Sequence, residues 1–464
     1  LGAAGYRTLM SGKWHLGETA DEMPDKHGFQ RSFSLAASGA DNWQDKSYLP
    51  YYHDAPWWED GEETSLPEDF YSSEFIVDKM ISYLEETDAS KPFFAYLPFQ
   101  AIHIPVQAPR EFIDNYDGVY DEGWHVLRQK RYERAQELGL FPQGAPLGAM
   151  PEQSREWDSL TNEERELYSA MMEVNAAMLE AMDFHIGRFI EHLKAEGQYQ
   201  RSIFVVASDN GPEFNRGDDD WRLTLWRQLN GYHIDPERAG QVGSWGFIGP
   251  EWANAAASPG GLFKFYATEG GIRSPLIVAG PGIAPSQIAS PAMVTDIAPT
   301  LLDCVNAPDA PDDSVEMTGR SLLPVIRGEI ESVYGPDDIR AIEVSGNTAL
   351  YKGDYKITRS MPPVGDGAWR LFNMMTDPGE TIDIREEAPD VFADLLASYE
   401  TYAQDVGVLE MPEGYHSLEQ VLENTQKRMR ARYGWILILV GIVFLALLYG
   451  FYRGVRWVWT RRRA

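Results

Sequence analysis

The chain has 464 residues, 44% hydrophobic and 12% aromatic, enough for one large core and a smaller second unit, which excludes a disordered chain. A formal charge of −31 argues against a nucleic-acid partner, and an anionic substrate would need local cations to hold it. A single cysteine, Cys304, excludes an internal disulfide and a Cys-based metal site.

The first residue is Leu1, and Leu1 to Tyr6 reads as the middle of a helix-to-loop transition, so the chain is expected to be truncated at its N terminus. Gly5-Tyr-Arg-Thr-Leu-Met-Ser-Gly-Lys-Trp-His-Leu-Gly17 has a short apolar centre between glycines, then Lys13 and His15 on alternate positions. In an extended segment such residues share a side. A cation beside an imidazole suits an anionic ester, one holding charge and the other moving protons. An isolated Lys-x-His is also compatible with a solvated pair at a strand end. Residues 18 to 72 read as loops with short strands, and apolar residues at Phe75, Ile76, Met80, Ile81 and Leu84 predict a helix over Glu74 to Glu86.

Pro92 to Pro98 is expected to be a buried strand running into a loop that carries His103. Residues 110 to 160 read as an irregular excursion. Thr161-Asn-Glu-Glu164 is a capping box, and apolar residues from Leu167 to Leu193 keep helical spacing up to Gly197. The run Ile203 to Ala207 is short and uniformly apolar, which predicts a central strand, parallel and covered on both faces. It ends at Asp209-Asn210-Gly211. Ligand sites in open α/β sheets lie off such carboxyl ends, and a carboxylate beside an amide oxygen suits a hard cation, although an Asp-Asn-Gly turn needs no ligand.

Residues 213 to 259 read as an aromatic insertion, either lining a substrate pocket or packed as a surface loop. Lys264 precedes Glu269-Gly-Gly, a predicted turn before a strand, and could be a second cation of the site. Asp296 stands near the start of a helix that packs Cys304 on its apolar side. Beyond about residue 335 come short strands, Ala341 to Val344, Thr348 to Arg359 and Trp369 to Asn373, and a helix over Pro389 to Gln404, predicting a small α+β subdomain. Trp435 to Tyr452 is an 18-residue apolar run between basic clusters and predicts a transmembrane helix.

Five of these stretches in this order resemble the sulfatase family, in particular the bacterial arylsulfatases: Gly12-Lys13-Trp-His15-Leu-Gly, Ala101-Ile-His103-Ile-Pro, Ser208-Asp209-Asn210-Gly211, Lys264 with Glu269-Gly-Gly-Ile-Arg273, and Thr295-Asp296-Ile-Ala-Pro-Thr. Leu371-Phe372 followed by Asp377-Pro-Gly-Glu380 is similar to the family's C-terminal subdomain, so the resemblance spans roughly residues 1 to 405. It implies an alkaline-phosphatase-like α/β sandwich with a mixed, largely parallel central sheet, and hydrolysis of a small-molecule or glycan sulfate ester. It further implies Ca2+ bound by Asp209 and Asn210, sulfate held by Lys13 and Lys264, and a leaving alcohol protonated by His103 with Lys264. His15 would help the sulfated diol collapse.

The expected organisation is a catalytic domain over 1–334, an α+β subdomain over 335–412, a connector over 413–434, a transmembrane helix over 435–452 and a basic tail over 453–464. With the family's export, this predicts a membrane-anchored protein whose catalytic domain is periplasmic or extracellular. One departure stands out. Cys304 is followed by Val-Asn-Ala-Pro, and neither Cys-x-Pro-x-Arg nor Ser-x-Pro-x-Arg, the motif matured to formylglycine in the family, occurs in the 464 residues. The nucleophile and the earlier metal aspartates are expected upstream of Leu1, and this stretch alone is expected to be inactive. A phosphate or phosphonate ester hydrolase on the same fold and a tethered non-catalytic binding protein remain alternatives.

Overall fold

The computed structural model describes residues 1–52, 54–216, 221–307 and 315–461. Its main sheet has five strands, β1 (Arg7–Lys13), β2 (Arg31–Leu35), β3 (Trp57–Glu59), β4 (Glu62–Thr64) and β5 (Phe93–Tyr96), in the order β4-β3-β2-β1-β5. β1 is central and runs parallel to both neighbours, with Leu9 opposite Arg31 and Arg7 opposite Phe93, whereas β2–β3 and β3–β4 are antiparallel. The sheet is therefore mixed, with its pairings evenly split rather than largely parallel. Leu9 and Met10, adjacent and so on opposite faces, are both fully buried. The strand covered on both faces is thus β1.

The apolar run after residue 202 becomes β6 (Phe204–Ala207), and it pairs antiparallel with β7 (Leu276–Ala279) in a separate two-stranded sheet. Val206 and Ile277 remain exposed, so the expected central, parallel position is corrected. An apolar run is compatible with burial but does not select its neighbour; pairing with a strand some seventy residues later does. β5 is likewise an edge strand with an exposed Tyr96, not a fully buried one.

The longest packed helix, Asn162–Ala195, starts as its capping box predicts, Thr161 Oγ1 accepting from the Glu164 amide at 3.2 Å and Glu164 Oε2 from the Thr161 amide at 2.8 Å. It is the spine of the larger unit. Phe189 and Leu193 join Leu9, Phe33, Trp57 and the helix Ser72–Glu86 in one cluster; Met171, Val174 and Met178 fill a second; Tyr168 and Met172 meet Trp124, Trp157, Trp245 and Trp252 in a third. The excursion at 110–160 contributes the helix Trp124–Glu137 to that third cluster. The aromatic insertion contains the helices Trp221–Leu229 and Gly249–Ala257, and its Tyr232, Trp245 and Trp252 are core side chains rather than a pocket lining.

The C-terminal sheet, β8 (Ile339–Val344), β9 (Asn347–Lys352), β10 (Tyr355–Arg359) and β11 (Trp369–Asn373), is an antiparallel meander covered by the helix Pro389–Val406. The stretch Thr348 to Arg359, expected as one strand, is two, β9 and β10, paired back on each other across a turn at Gly353-Asp354; each pairing in the sheet is between sequence neighbours. The last helix, Ser417–Arg461, reaches back to the larger unit: the Arg428 guanidinium sits 4.0 Å from the Tyr51 ring centre and Arg432 donates to the Tyr52 carbonyl at 3.1 Å.

Among the described residues no helix is long and apolar enough to cross a membrane. A span needs about 20 consecutive apolar residues, and the side chains of Ile436, Leu437 and Val440, which the sequence count of the 435–452 run relied on, lie outside those described, as do Arg462 and Arg463 of the basic tail. The expected transmembrane helix, and the membrane-anchored placement built on it, are corrected accordingly.

Candidate active site

Four chain segments meet at one end of the main sheet. β1 delivers Lys13 as its last residue, and the Lys13 amide donates to the Pro98 carbonyl at 2.7 Å. Gly12 makes this closeness possible: its φ is 139°, and a Cβ there would stand 2.1 Å from the Pro98 oxygen. The extended geometry stops at Lys13. His15 has a φ of 55°, so it is not related to Lys13 by strand alternation, and it lies exposed at the rim.

Beyond β5, His103 is turned inward. Its Nδ1 lies 2.7 Å from the Ile104 carbonyl oxygen, which fixes Nδ1 as the protonated nitrogen and leaves Nε2 facing the cluster. The edge of Tyr48 packs on the ring, with centres 5.6 Å apart at 89°. From the 213–264 region, Lys264 Nζ donates to Glu213 Oε2 at 2.9 Å, and the same oxygen lies 3.7 Å from His103 Nε2. Glu213 is largely buried, with a side chain 11% exposed.

Asp209 and Asn210 follow β6 on a turn locked to the Lys264 segment. The Gly211 amide donates to the Gly271 carbonyl at 2.8 Å, and the Lys264 amide donates to the Pro212 carbonyl at 3.1 Å. A Cβ on Gly211 would sit 2.0 Å from the Gly270 oxygen, so only glycine permits this approach. The Asn210 amide donates to the Asp209 carboxylate. Glu269 to Ile272, expected as a plain turn, is one turn of helix before β7.

The electrostatics tie these residues together. Burial, then the nearby Lys264, holds the Lys13 ammonium below its ordinary pKa against Asp209 and Glu213. Partial desolvation, then Lys13 and Lys264, lowers His15, with Glu18 and Asp209 opposing. Burial and Lys264 bring His103 down to about 4, with Glu213 acting in the other direction. Burial alone would raise the Glu213 carboxyl, but Lys264 and His103 hold it below the usual range. At neutral pH the His103 imidazole is therefore neutral, and an arriving anion meets it together with the side-chain amines of Lys13 and Lys264.

Lys13, His103 and Lys264 converge, with Asp209 close enough to influence Lys13 and His15. Glu213 belongs to the same cluster and was not singled out from the sequence, since nothing local marks it beyond its place after Asp209-Asn210-Gly211-Pro212. Asp296 is elsewhere: its buried carboxylate accepts from the Met293 and Arg320 amides and from the Tyr334 hydroxyl, a structural knot. Asp209 and Asn210 offer two oxygen donors, the right kind for calcium, but calcium takes about six to eight. Among the described residues no group of three or more His, Cys, Asp or Glu side chains could hold a metal ion. The residues here do not form a calcium site by themselves.

Comparison with known proteins bears on the same stretch. A sulfatase family profile matches residues 1–307. The chain is 35% identical over 440 residues to an uncharacterised sulfatase of Schizosaccharomyces pombe, covering 89% of this chain and 77% of that protein. It is 33% identical over 341 residues to the arylsulfatase of Klebsiella aerogenes, covering 71% of each. The crystal structure of Ps i-CgsB in complex with k-i-k-neocarrahexaose superposes with a TM-score of 0.57 at 19% identity, over 93% of this chain and 78% of that one. At that identity the likeness concerns the fold.

Proposed function

The chain belongs to the sulfatase family and by that membership is a sulfuric ester hydrolase; we propose that it is arylsulfatase-like, cleaving sulfate monoesters in the pocket formed by Lys13, His103, Lys264 and Glu213. The observation that carries this reading is the convergence of the Lys264 ammonium and the His103 imidazole on one carboxylate oxygen of Glu213, with Lys13 close enough to feel the charges of Lys264 and Glu213, from segments far apart in sequence. In this reading Lys13 and Lys264 hold the sulfate oxygens, and their desolvated charges strengthen as negative charge grows in the transition state. His103 has its Nδ1 proton committed to the Ile104 carbonyl, so its Nε2 is the open nitrogen through which a proton passes to the departing alcohol, with the Lys264 ammonium beside it as the source. His15, at the rim, moves protons in the step that frees sulfate.

A formylglycine would supply the attacking oxygen. No residue of this sequence is assigned that role, because no Cys-x-Pro-x-Arg or Ser-x-Pro-x-Arg motif occurs in it. Asp209 and Asn210 are the residues that would face a calcium ion. The sulfate ester is a small molecule or a glycan; the carrahexaose held by the structural neighbour supports the second as a class to test.

The test is turnover of matched aryl sulfate and aryl phosphate esters by protein expressed from its complete coding region. Sulfate release should dominate, and His103→Ala or Lys264→Ala should reduce it about 10²-fold or more. Unchanged turnover in both variants, or preference for the phosphate ester, overturns the reading.

A further inference from the structure

Glu213 has no task in the proposed cleavage as set out so far, yet its geometry is specific. A single oxygen, Oε2, lies 2.9 Å from Lys264 Nζ and 3.7 Å from His103 Nε2, the two groups assigned to the leaving alcohol. Its other oxygen, Oε1, accepts from the Asn215 side-chain amide and from the Asn215 backbone amide at 3.3 Å, which fixes the carboxylate plane. The backbone is held as well: Pro212, just before it, accepts from the amide of Lys264 itself. The carboxylate and the ammonium it binds therefore move as one unit. A surface ion pair between flexible side chains has none of these restraints and contributes little.

We propose that Glu213 is the positioning residue of the leaving-group side of the site, aligning Lys264 and His103 on the alcohol oxygen and compensating their charge while the proton is transferred. This rests on the sulfatase reading above. In the step itself an entering oxygen nucleophile bonds to sulfur while the S–O bond to the alcohol breaks, and the electron pair of the broken bond stays on the alcohol oxygen. The proton comes from Lys264 Nζ, directly or relayed through His103 Nε2, and bonds to the oxygen, after which the lysine is reprotonated from water. Glu213 remains ionised throughout. Without its negative charge, Lys264 and a protonated His103 would face each other inside a pocket that also holds Lys13, and like charges so placed disfavour the protonated donor. Without its fixed carboxylate, Lys264 would lose the anchor that keeps its ammonium beside His103.

This role predicts a dependence on the leaving group that a general loss of structure would not produce. Activated alcohols such as 4-nitrophenol depart with little help, whereas unactivated phenols and alkyl alcohols need the proton. Glu213→Gln keeps the shape and removes the charge. Turnover of 4-nitrophenyl sulfate should fall only a few-fold, while that of phenyl sulfate should fall about 10²-fold or more, mainly in kcat. Glu213→Asp, which keeps the charge but shortens the reach, should recover part of the phenyl sulfate rate. Equal losses on both esters, or no loss on either, overturn the proposal provided the wild type turns both over; absence of wild-type turnover on any sulfate ester would instead count against the sulfatase reading. Far-UV circular dichroism and the melting temperature of each variant identify a folding defect, and if Glu213→Gln fails to fold, Glu213→Asp carries the test through the ratio of its two rates to those of the wild type.

Discussion

Two of the lysine–glutamate sites, at Lys356 and at Lys264, join distant segments in the same way and differ in what surrounds them. Lys356, on β10, is wholly buried between Glu269 at 2.9 Å and Glu380 at 2.7 Å, under the Tyr351 ring, whose hydroxyl also donates to Glu269. Lys264 has one carboxylate partner, Glu213, a side chain 29% exposed, and an imidazole and a second ammonium nearby. Burial alone would strip the proton from Lys356, but Glu269, Glu380 and Tyr351 raise its affinity far above the ordinary value. Every charge there is answered from within the protein, so the knot joins the C-terminal sheet to the Glu269–Ile272 turn and has nothing left to offer a ligand. At Lys264 the ammonium is part exposed with one carboxylate partner, and Lys13 makes no ion pair among the described residues, which leaves both able to meet an anion. The contrast teaches that the completeness of compensation, more than burial itself, separates a structural ion pair from a candidate catalytic one.

The largest expected effect would sharpen that contrast from the structural side. Lys356→Met leaves Glu269 and Glu380 buried against each other and should cost about 3–5 kcal/mol of stability, read from the urea unfolding midpoint. Lys264→Met should cost clearly less stability than this, because its ammonium is part exposed, while turnover of an aryl sulfate falls about 10²-fold, equivalent to about 2.7 kcal/mol of barrier. A large stability loss in Lys264→Met, or none in Lys356→Met, would break the comparison.

Smaller effects probe how the open site is held. Gly211→Ala should cost about 1–3 kcal/mol, because the new methyl group meets the Gly270 oxygen and must push the two loops apart. The pH dependence follows from His103 and His185, both brought down to about 4, in each case first by burial. Their folded-state values lie below the ordinary unfolded value near 6.5, so the unfolded chain binds more protons between those limits. Stability should be fully present above about pH 6.5 and decline as pH falls toward 4. A flatter profile in His103→Gln, measured by chemical denaturation at pH 7, 6 and 5, checks the assignment. Smallest of all, calcium should bind this 464-residue chain more weakly than about 10⁻⁴ M, since two oxygen donors are a minority of a calcium shell; tight stoichiometric binding by calorimetry would show further ligands within it.

How much of this was legible in advance depended on the range of the interactions. The Asn162–Ala195 helix could be read because a capping box is a local pattern, whereas the C-terminal strands could be read as strands but the turn that divides Thr348 to Arg359 into β9 and β10 could not. Lys13, His103, Asp209, Asn210 and Lys264 were each visible as residues beside strand ends or glycine turns. Their convergence was not, since it depends on β1 pairing with β5 and on the Gly211 turn meeting the Gly271 backbone. Glu213 escaped notice because its partners, Lys264 and His103, come from two other segments. The apolar stretch of β6 suggested a central strand, but an apolar face specifies only that something covers it, and the antiparallel neighbour β7 left part of it exposed.

By itself, then, the sequence determined the element types, the sulfatase resemblance and the supply of cations within a strongly acidic chain, because propensity, capping and motif spacing act over a few residues. The tertiary structure alone decided which strand is central, which aromatic residues are core and that Lys264, unlike Lys356, stays open to an anion. Those outcomes depend on contacts between segments distant in sequence, where pairing and desolvation are properties of the assembled chain and not of any stretch within it.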